Sequence, residues 1–257
     1  MTGVTAMQFN LRPTNGWRAF AGEVGVIVLG VLIALGAQQA AESVNKRRET
    51  ADTRAAMVAE IEETLAVLGL RKAAGPCVDR RLKELRAIVD DWGRTGSYTA
   101  PRWVAQPPWF VINNLRFDAA QSAGRLALMS GEEQYRFGLI TGSLRNFRDI
   151  QAGEMEAWAK LRMLQSGADA LSESDRTAIR IALQEASLLN YRAKIVIGQA
   201  LPIASGYGWR PDLSRFRRLL MPSAWKSGRF TPSVCVRIDT PPDQANREAN
   251  LTYPMPE

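Results

Sequence analysis

The sequence predicts an all-α protein, in which an N-terminal transmembrane helix precedes an antiparallel helical bundle of four to five helices and an irregular C-terminal segment. Residues 24–41, VGVIVLGVLIALGAQQAA, are an apolar run of eighteen residues without a charge. The stretches behind it place apolar residues at helical spacing, and two Ser-x-x-acid motifs begin further helices. Amphipathic helices joined by short loops bury their apolar faces against one another as a bundle.

The apolar run is long enough to cross a bilayer. As an α-helix rising about 1.5 Å per residue it reaches roughly 27 Å, close to the ~30 Å of a hydrocarbon core. We therefore assign residues 19–42 to a single-pass transmembrane helix and residues 1–18 to an N-terminal arm. A signal peptide cleaved after Gly36 is the alternative, but Glu23 interrupts its start and the run exceeds a usual signal-peptide core.

Small side chains share one face of this helix at i, i+4, i+7 and i+11, with an acidic residue one heptad earlier. Such a face lets a second membrane helix approach closely, in a homo-oligomer or with a partner helix. The alternative is that the acid reaches interfacial water and that Gly and Ala are simply common in membrane helices. The helix-packing candidates are Glu23, Gly30, Ala34, Ala37 and Ala41.

Residues 43–201 are predicted to form the bundle. The first helix continues from the membrane segment to Gly75-Pro76, where a C-cap glycine and a helix-starting proline turn the second helix back along it. A loop over residues 93–108 follows, with its aromatic residues over the bundle end, and then a short helix over residues 113–128. Capping boxes at Ser130 and Ser172 begin the last two helices, and the final one ends before Pro202. The predicted buried faces contain Met57, Ile61, Leu65, Leu68; Val78, Leu82, Leu85, Val89, Trp92; Tyr135, Leu139, Leu144, Phe147, Trp158, Leu161; Ile179, Ala182, Ala186, Leu189, Ala193, Val196 and Ala200.

A basic aromatic segment occupies residues 202–240, and residues 241–257 are predicted to be a disordered tail. Arginine and lysine alternating with aromatic residues can lie on anionic lipid or stack nucleic-acid bases. The alternative is that the aromatic rings pack on the bundle and the basic side chains are solvated. Residues 234–238 alternate like a short strand or an extended clip. The anionic-surface candidates are Arg210, Arg215, Arg217, Arg218, Lys226 and Arg229.

The amino-acid composition excludes several kinds of catalytic site and metal site. The chain has 33 Lys+Arg against 26 Asp+Glu, a formal charge of +7, and no histidine. Without histidine there is no Ser-His-Asp triad, no Cys-His dyad and no His-ligated metal site. The remaining carboxylate pairs fall on solvated or capping positions. We therefore expect no catalytic residue, no metal and no cofactor, and we expect a protein that is not an enzyme.

Two cysteines, Cys77 and Cys235, belong to no CxxC motif. They form either one long-range disulfide, which requires an oxidising compartment, or two unrelated buried thiols. The basic residues around Arg47 and Arg48 favour a cytoplasmic C-terminus, whereas the cysteine pair and the signal-anchor layout favour an exported one. We expect the exported arrangement, with a disulfide and with most of the chain outside the cytoplasm.

Residues 22–35, followed by Arg47-Arg48, resemble the opening of an uncharacterised bacterial family known only as a domain of unknown function. Its members carry G-E-[IV]-x-[IVL]-V-[IVL]-G-[IV]-L-I-A-L near the N-terminus and a helical region behind it. Residues 117–128, FDAAQSAGRLAL, are similar to the family's L-x-x-S-G-x-L-x-L-I turn, with Ala123 inserted. Residues 36–39 depart from the family's Q-I-N-N-W-N. The resemblance implies a single-pass, membrane-anchored helical protein and brings no known activity. Because the family is bacterial, we expect the anchor in the inner membrane and most of the chain in the periplasm.

Together these observations predict a membrane-anchored interaction or structural module whose partners are membrane lipid and a further helix or protein. The alternative is a cytoplasm-facing membrane protein whose basic C-terminal segment binds anionic lipid or nucleic acid. We favour the first, because it needs no reactive group and nucleic-acid binding would place the C-terminus in the cytoplasm.

Overall fold

The computed structural model describes residues 17–212, 234–241 and 244, and this part of the chain is helical without a strand. The predicted fold class, a long apolar N-terminal helix followed by a helical bundle, is confirmed. Contacts divide the chain into two units, Met1–Asp52 and Thr53–Glu257. The α-helices of the described residues are α1 (Trp17–Ala73), α2 (Gly75–Thr95), α3 (Leu115–Ser122), α4 (Gly131–Leu161) and α5 (Glu173–Gly206).

The described part of the first unit is the N-terminal portion of α1. Its most apolar window of 18 residues has a mean hydropathy of 2.2, and none of that window is buried. Val26 and Ile27 are 73% and 66% exposed, for example. Among the described residues, this is the one helix long and apolar enough to cross a membrane. As predicted, α1 continues beyond the apolar run without a break.

The joint between α1 and α2 differs from its prediction. Ala74 has φ −74° and ψ −10°, inside the right-handed helical region, and Gly75 does not adopt a positive φ. Pro76 has no N–H to donate and its ring crowds the carbonyl four residues earlier, so it interrupts the helix without reversing it. The prediction of a C-cap glycine is therefore wrong, because the backbone stays close to the helical conformation through the joint.

The direction of α2 follows from its contacts with α5. Asp79 lies beside Asn190 and Lys194, while the Trp92 carbonyl accepts a hydrogen bond from Arg176. Rising residue numbers on α2 therefore meet falling numbers on α5. The same holds for α1, because Glu62 accepts from the Arg210 amide just beyond α5, whereas Arg71 donates to Asn190. Hence α2 continues in the direction of α1, and the prediction that it turns back is wrong.

Helices α4 and α5 form an antiparallel pair against which both α1 and α2 pack. Both predicted capping boxes are present: the Ser130 hydroxyl accepts from the Glu133 amide at 3.3 Å, and the Ser172 hydroxyl accepts from the Asp175 amide at 3.2 Å. The two helices approach closely at Gly153, where an added Cβ would lie 3.2 Å from a Leu189 methyl carbon. Helix packing over this length offsets the hydrogen bond that α5 loses at its internal proline.

Two hydrophobic clusters divide this unit along the α4/α5 pair. The first joins the last turns of α1 to residues of α4 between Phe137 and Ile150 and to residues of α5 between Ala193 and Ala204. The second joins α2 to Trp158, Leu161 and the beginning of α5. The predicted buried faces of α1 and α2 are confirmed. On α4 the prediction is wrong at its start: Tyr135 is 65% exposed, and the buried side chains are Phe137 and Ile140.

Several helix ends also differ. Helix α2 runs to Thr95, three residues into the predicted loop, and is capped by Gly96 with φ 77°. The predicted helix over residues 113–128 is interrupted after α3 by Gly124, whose φ of 69° is left-handed, and a 3₁₀ turn follows. Helix α5 passes through Pro202 and ends at Gly206, because Ala200 and Ala204 remain fully buried there.

Between α2 and α3 the chain lies as an extended strap across α4. The Gln151 side-chain amide accepts from the Phe110 N–H at 3.0 Å and donates to the Phe110 carbonyl at 3.1 Å. The Tyr98 hydroxyl donates to the Leu164 carbonyl, and burial raises the pKa of that phenol. Trp103 is buried as expected, and Trp109 is 51% exposed beside residues of α4.

Candidate functional site

A polar cluster of Arg71, Asp79, Glu154, Asn190 and Lys194 lies at the α1/α2 joint. Arg71 Nη2 donates to Glu154 Oε1 at 2.7 Å and to Asn190 Oδ1 at 3.0 Å. Asn190 Nδ2 donates to Asp79 Oδ1 at 2.8 Å, and Lys194 Nζ donates to the same carboxylate at 2.5 Å. The chain of contacts links α1, α2, α4 and α5.

The inner half of this cluster is buried. Arg71, Glu154 and Asn190 are 1%, 4% and 3% exposed. Taking two charges out of water costs several kcal/mol each, and only close pairing with further hydrogen bonds offsets that cost. Arg71 therefore depends on Glu154 and Asn190 as acceptors, and Glu154 depends on Arg71 as its cation.

Burial dominates the protonation of Glu154. Desolvation raises the pKa of the Glu154 carboxyl above its ordinary value, and the Arg71 guanidinium only partly opposes that rise. The carboxylate is thus harder to keep charged here than on the surface. Any change that removes Arg71 will push the same pKa further up.

The buried polar residues of the cluster were not predicted, although their spacing in the sequence indicates that they are buried. Arg71 follows buried Leu68 by three residues, and Glu154 lies four residues from both Ile150 and Trp158. Asn190 follows buried Ala186 by four. Residues at these spacings share the buried face of their helix. Polar residues on apolar stripes are expected to be partners, but the sequence does not show which ones meet.

A cavity of about 320 Å³, which we call the joint groove, opens beside the cluster. Four charged side chains line it: Arg71, Lys72, Asp79 and Lys194. Gly75, Pro76, Ile197 and Gly198 form its apolar walls. The groove joins the end of α1 and the start of α2 to one side of α5.

The chemistry of the site is that of binding and positioning. Its side chains are a guanidinium, ammonium groups, carboxylates and an amide, and none of them is a thiol or hydroxyl nucleophile. Among residues 17–212, 234–241 and 244, no group of three or more Cys, Asp or Glu side chains could hold a metal ion. The arrangement can hold the four helices in register.

The predicted cysteine partners lie at disulfide distance. The Cα atoms of Cys77 and Cys235 are 4.7 Å apart, and the pair closes a separation of 158 residues. Residues 234–240 form turns against α2, so of the two predicted forms, a short strand and an extended clip, the strand is absent. Val234 and Val236 are buried in the second cluster.

Two arginines of α2 hold this C-terminal clip, residues 234–238. Arg80 donates to the Cys235 carbonyl, and Arg81 donates to the Val236 carbonyl. Arg81 is fully buried and also donates from Nε to Glu84 at 2.8 Å. Burial lowers the pKa of Arg81 although Glu84 opposes the change. These contacts were not predicted from the sequence.

The other predicted site residues do not join the polar cluster. Glu23, Gly30, Ala34, Ala37 and Ala41 are exposed on α1, and helical geometry puts them on one face. Nothing lies within 4 Å of a Cβ built on Gly30. Their role in helix packing stays a prediction.

Of the six anionic-surface candidates, the structure describes Arg210, which is exposed and whose backbone amide donates to Glu62 Oε1 at 3.1 Å. The nearby aromatic residues pack on the bundle: Trp209 stacks on Phe137, and Tyr207 lies under Arg136. The remaining candidates fall outside the described residues, as does most of the predicted disordered tail: Arg215, Arg217, Arg218, Lys226 and Arg229.

Comparison with protein-family models, curated proteins and solved structures finds no match. The resemblance of residues 22–35 and 117–128 to a bacterial family therefore stays a prediction.

Proposed function

We propose that this protein is a single-pass, membrane-anchored helical module that binds a partner and carries out no catalysis. The observation that carries the proposal is the exposed apolar portion of α1. From residue 20 to residue 49 every side chain is exposed, including the whole apolar run. A contiguous apolar surface of this extent is rare on soluble proteins and suits a lipid environment.

We expect the full chain to stay with membranes after extraction at alkaline pH and to be released by detergent. A chain whose Gly30, Val31 and Leu32 are replaced by lysine should instead appear in the soluble fraction, because charges at a bilayer centre are costly. Immunoblotting of the fractions measures this. Release of the unaltered chain by alkaline buffer would contradict the anchor, as would a mature N-terminus beyond Gly36.

The outer face of α5 supports a role in protein interaction. Ile181, Leu188, Tyr191 and Ile195 are between 40% and 61% exposed, although the opposite face of the same helix is buried. Their spacing of seven, three and four residues puts them on one stripe. Contiguous exposed apolar surface marks sites of interaction with proteins, membranes or ligands.

The cysteine pair supports an exported bundle, in the periplasm of a bacterial inner membrane. Disulfides persist in oxidising compartments and are rare in the cytosol. Lys46, Arg47 and Arg48 favour a cytoplasmic C-terminus, but long domains cross membranes largely regardless of the flanking charge, so these residues do not decide the orientation. The family resemblance of the N-terminal helix is the basis for the bacterial assignment.

We expect alkaline phosphatase fused after Glu257 to be active, because this enzyme works only outside the cytoplasm. A fusion after Arg18, before the anchor, is the matched control and should be inactive. Phosphatase activity normalised to fusion protein measures the result. The opposite pattern would contradict the exported bundle and favour a cytoplasmic protein whose basic C-terminal segment binds anionic lipid or nucleic acid.

A further inference from the structure

We propose that the joint groove binds a small organic anion with an apolar body, such as an aryl or alkyl carboxylate. This inference goes beyond a role as an anchored module and does not depend on where the protein is located. It concerns only residues of α1, α2 and α5 that belong to the second unit.

Charge favours an anion in the groove. Three of its lining side chains are cationic, Arg71, Lys72 and Lys194, and one is acidic, Asp79. Arg71 is paired with Glu154, and Lys194 is paired with Asp79. No described carboxylate lies within ion-pair distance of the exposed Lys72, so an anionic head would meet this ammonium group.

The walls favour an apolar body behind that head. Pro76 and Ile197 face the space, and Gly75 and Gly198 leave it open. A Cβ built on either glycine meets no heavy atom within 4 Å. A volume of 320 Å³ is at the lower end of small-molecule sites, so the ligand is small. An inorganic anion would leave the apolar walls unused.

The test is isothermal titration of the detergent-solubilised full chain with 4-phenylbutyrate, after subtraction of the heat from empty micelles. We expect saturable binding with a dissociation constant on the order of 1 mM or below. The neutral 4-phenylbutanol and inorganic phosphate should each bind at least about tenfold more weakly, because each lacks one of the two features.

Two variants locate the site. Gly198→Leu fills the groove and should weaken 4-phenylbutyrate binding at least about tenfold, and Lys72→Gln should weaken it about threefold to tenfold. The matched controls are Gly142→Leu, at an exposed and open position of α4, and Lys160→Gln. Both glycine variants should keep or raise the melting temperature, because leucine favours the helix.

The inference fails if 4-phenylbutyrate gives no saturable heat, or if Gly198→Leu binds as tightly as the unaltered chain. Equal binding of the alcohol would remove the anion requirement, and equal binding of phosphate would remove the apolar one. Either result overturns the proposed ligand class. None of these outcomes bears on the membrane anchor, so the two proposals can fail separately.

Discussion

Replacing Arg71 with methionine is expected to lower the free energy of unfolding by about 3 to 5 kcal/mol at pH 8, because it leaves the Glu154 carboxylate buried without its cation. Globular proteins have only about 5 to 15 kcal/mol in total, so much of the stability would be lost. Urea unfolding of the full chain in mild detergent, followed by tryptophan fluorescence, measures the change. Trp158 is fully buried and lies one helical turn from Glu154.

The loss should be smaller at pH 5 than at pH 8. In this variant the folded-state pKa of Glu154 is raised by burial, with no Arg71 to oppose it. A carboxyl group whose folded pKa exceeds its unfolded pKa contributes stability below the unfolded value and loses it as pH rises through the folded value. The variant should therefore weaken progressively between about pH 4.5 and the raised pKa.

Two further variants separate this effect from a general loss of charge. Lys160→Met breaks an exposed ion pair with Glu185 and should cost less than about 1 kcal/mol. The double variant Arg71→Met with Glu154→Leu should recover most of the loss, because a matched apolar pair carries no buried charge. A double variant no more stable than Arg71→Met alone would contradict the pairing of these two residues.

Replacing both Cys77 and Cys235 with serine is expected to lower the melting temperature by roughly 10 °C. A disulfide closing a loop as long as 158 residues contributes about 4 to 5 kcal/mol in the chain-entropy model, and less after strain. Release of the clip would also expose Val234 and Val236 and remove an acceptor from buried Arg81. Calorimetry of the full chain in detergent measures the change.

A reducing agent provides the control. It should lower the melting temperature of the unaltered chain to that of the double-serine variant, and it should leave the variant unchanged. Equal melting temperatures for the oxidised chain and the variant would mean that the clip is held by noncovalent contacts alone. In that case the disulfide would no longer support an exported bundle.

Local features of the fold could be predicted from sequence. The buried faces of α1 and α2 follow apolar residues at helical spacing, and the capping boxes at Ser130 and Ser172 need only neighbours three residues away. The error at Tyr135 arises where the local pattern is ambiguous. Several apolar residues near the start of α4 are consistent with more than one helical face, and packing against α1 and α5 selects Phe137 and Ile140.

Long-range features could not be predicted. Glycine is compatible with both a reversing and a continuing joint, so Gly75 alone does not determine the direction of α2. The contacts of Asp79 and Trp92 with α5 determine it. The polar cluster also depends on long-range packing. Glu154 lies 83 residues and Asn190 lies 119 residues beyond Arg71 in the sequence.

By itself the sequence determined that this chain has an apolar helix long enough to span a membrane and amphipathic helices behind it. Length, hydropathy and periodicity are properties of consecutive residues, and each can be evaluated without knowing what the segment touches. Only the tertiary structure decided the course of α2, the partners of Arg71, the proximity of Cys77 to Cys235 and the joint groove. These features depend on tertiary packing. Among the sterically allowed packings, the favoured one buries the most apolar surface while pairing every buried charge.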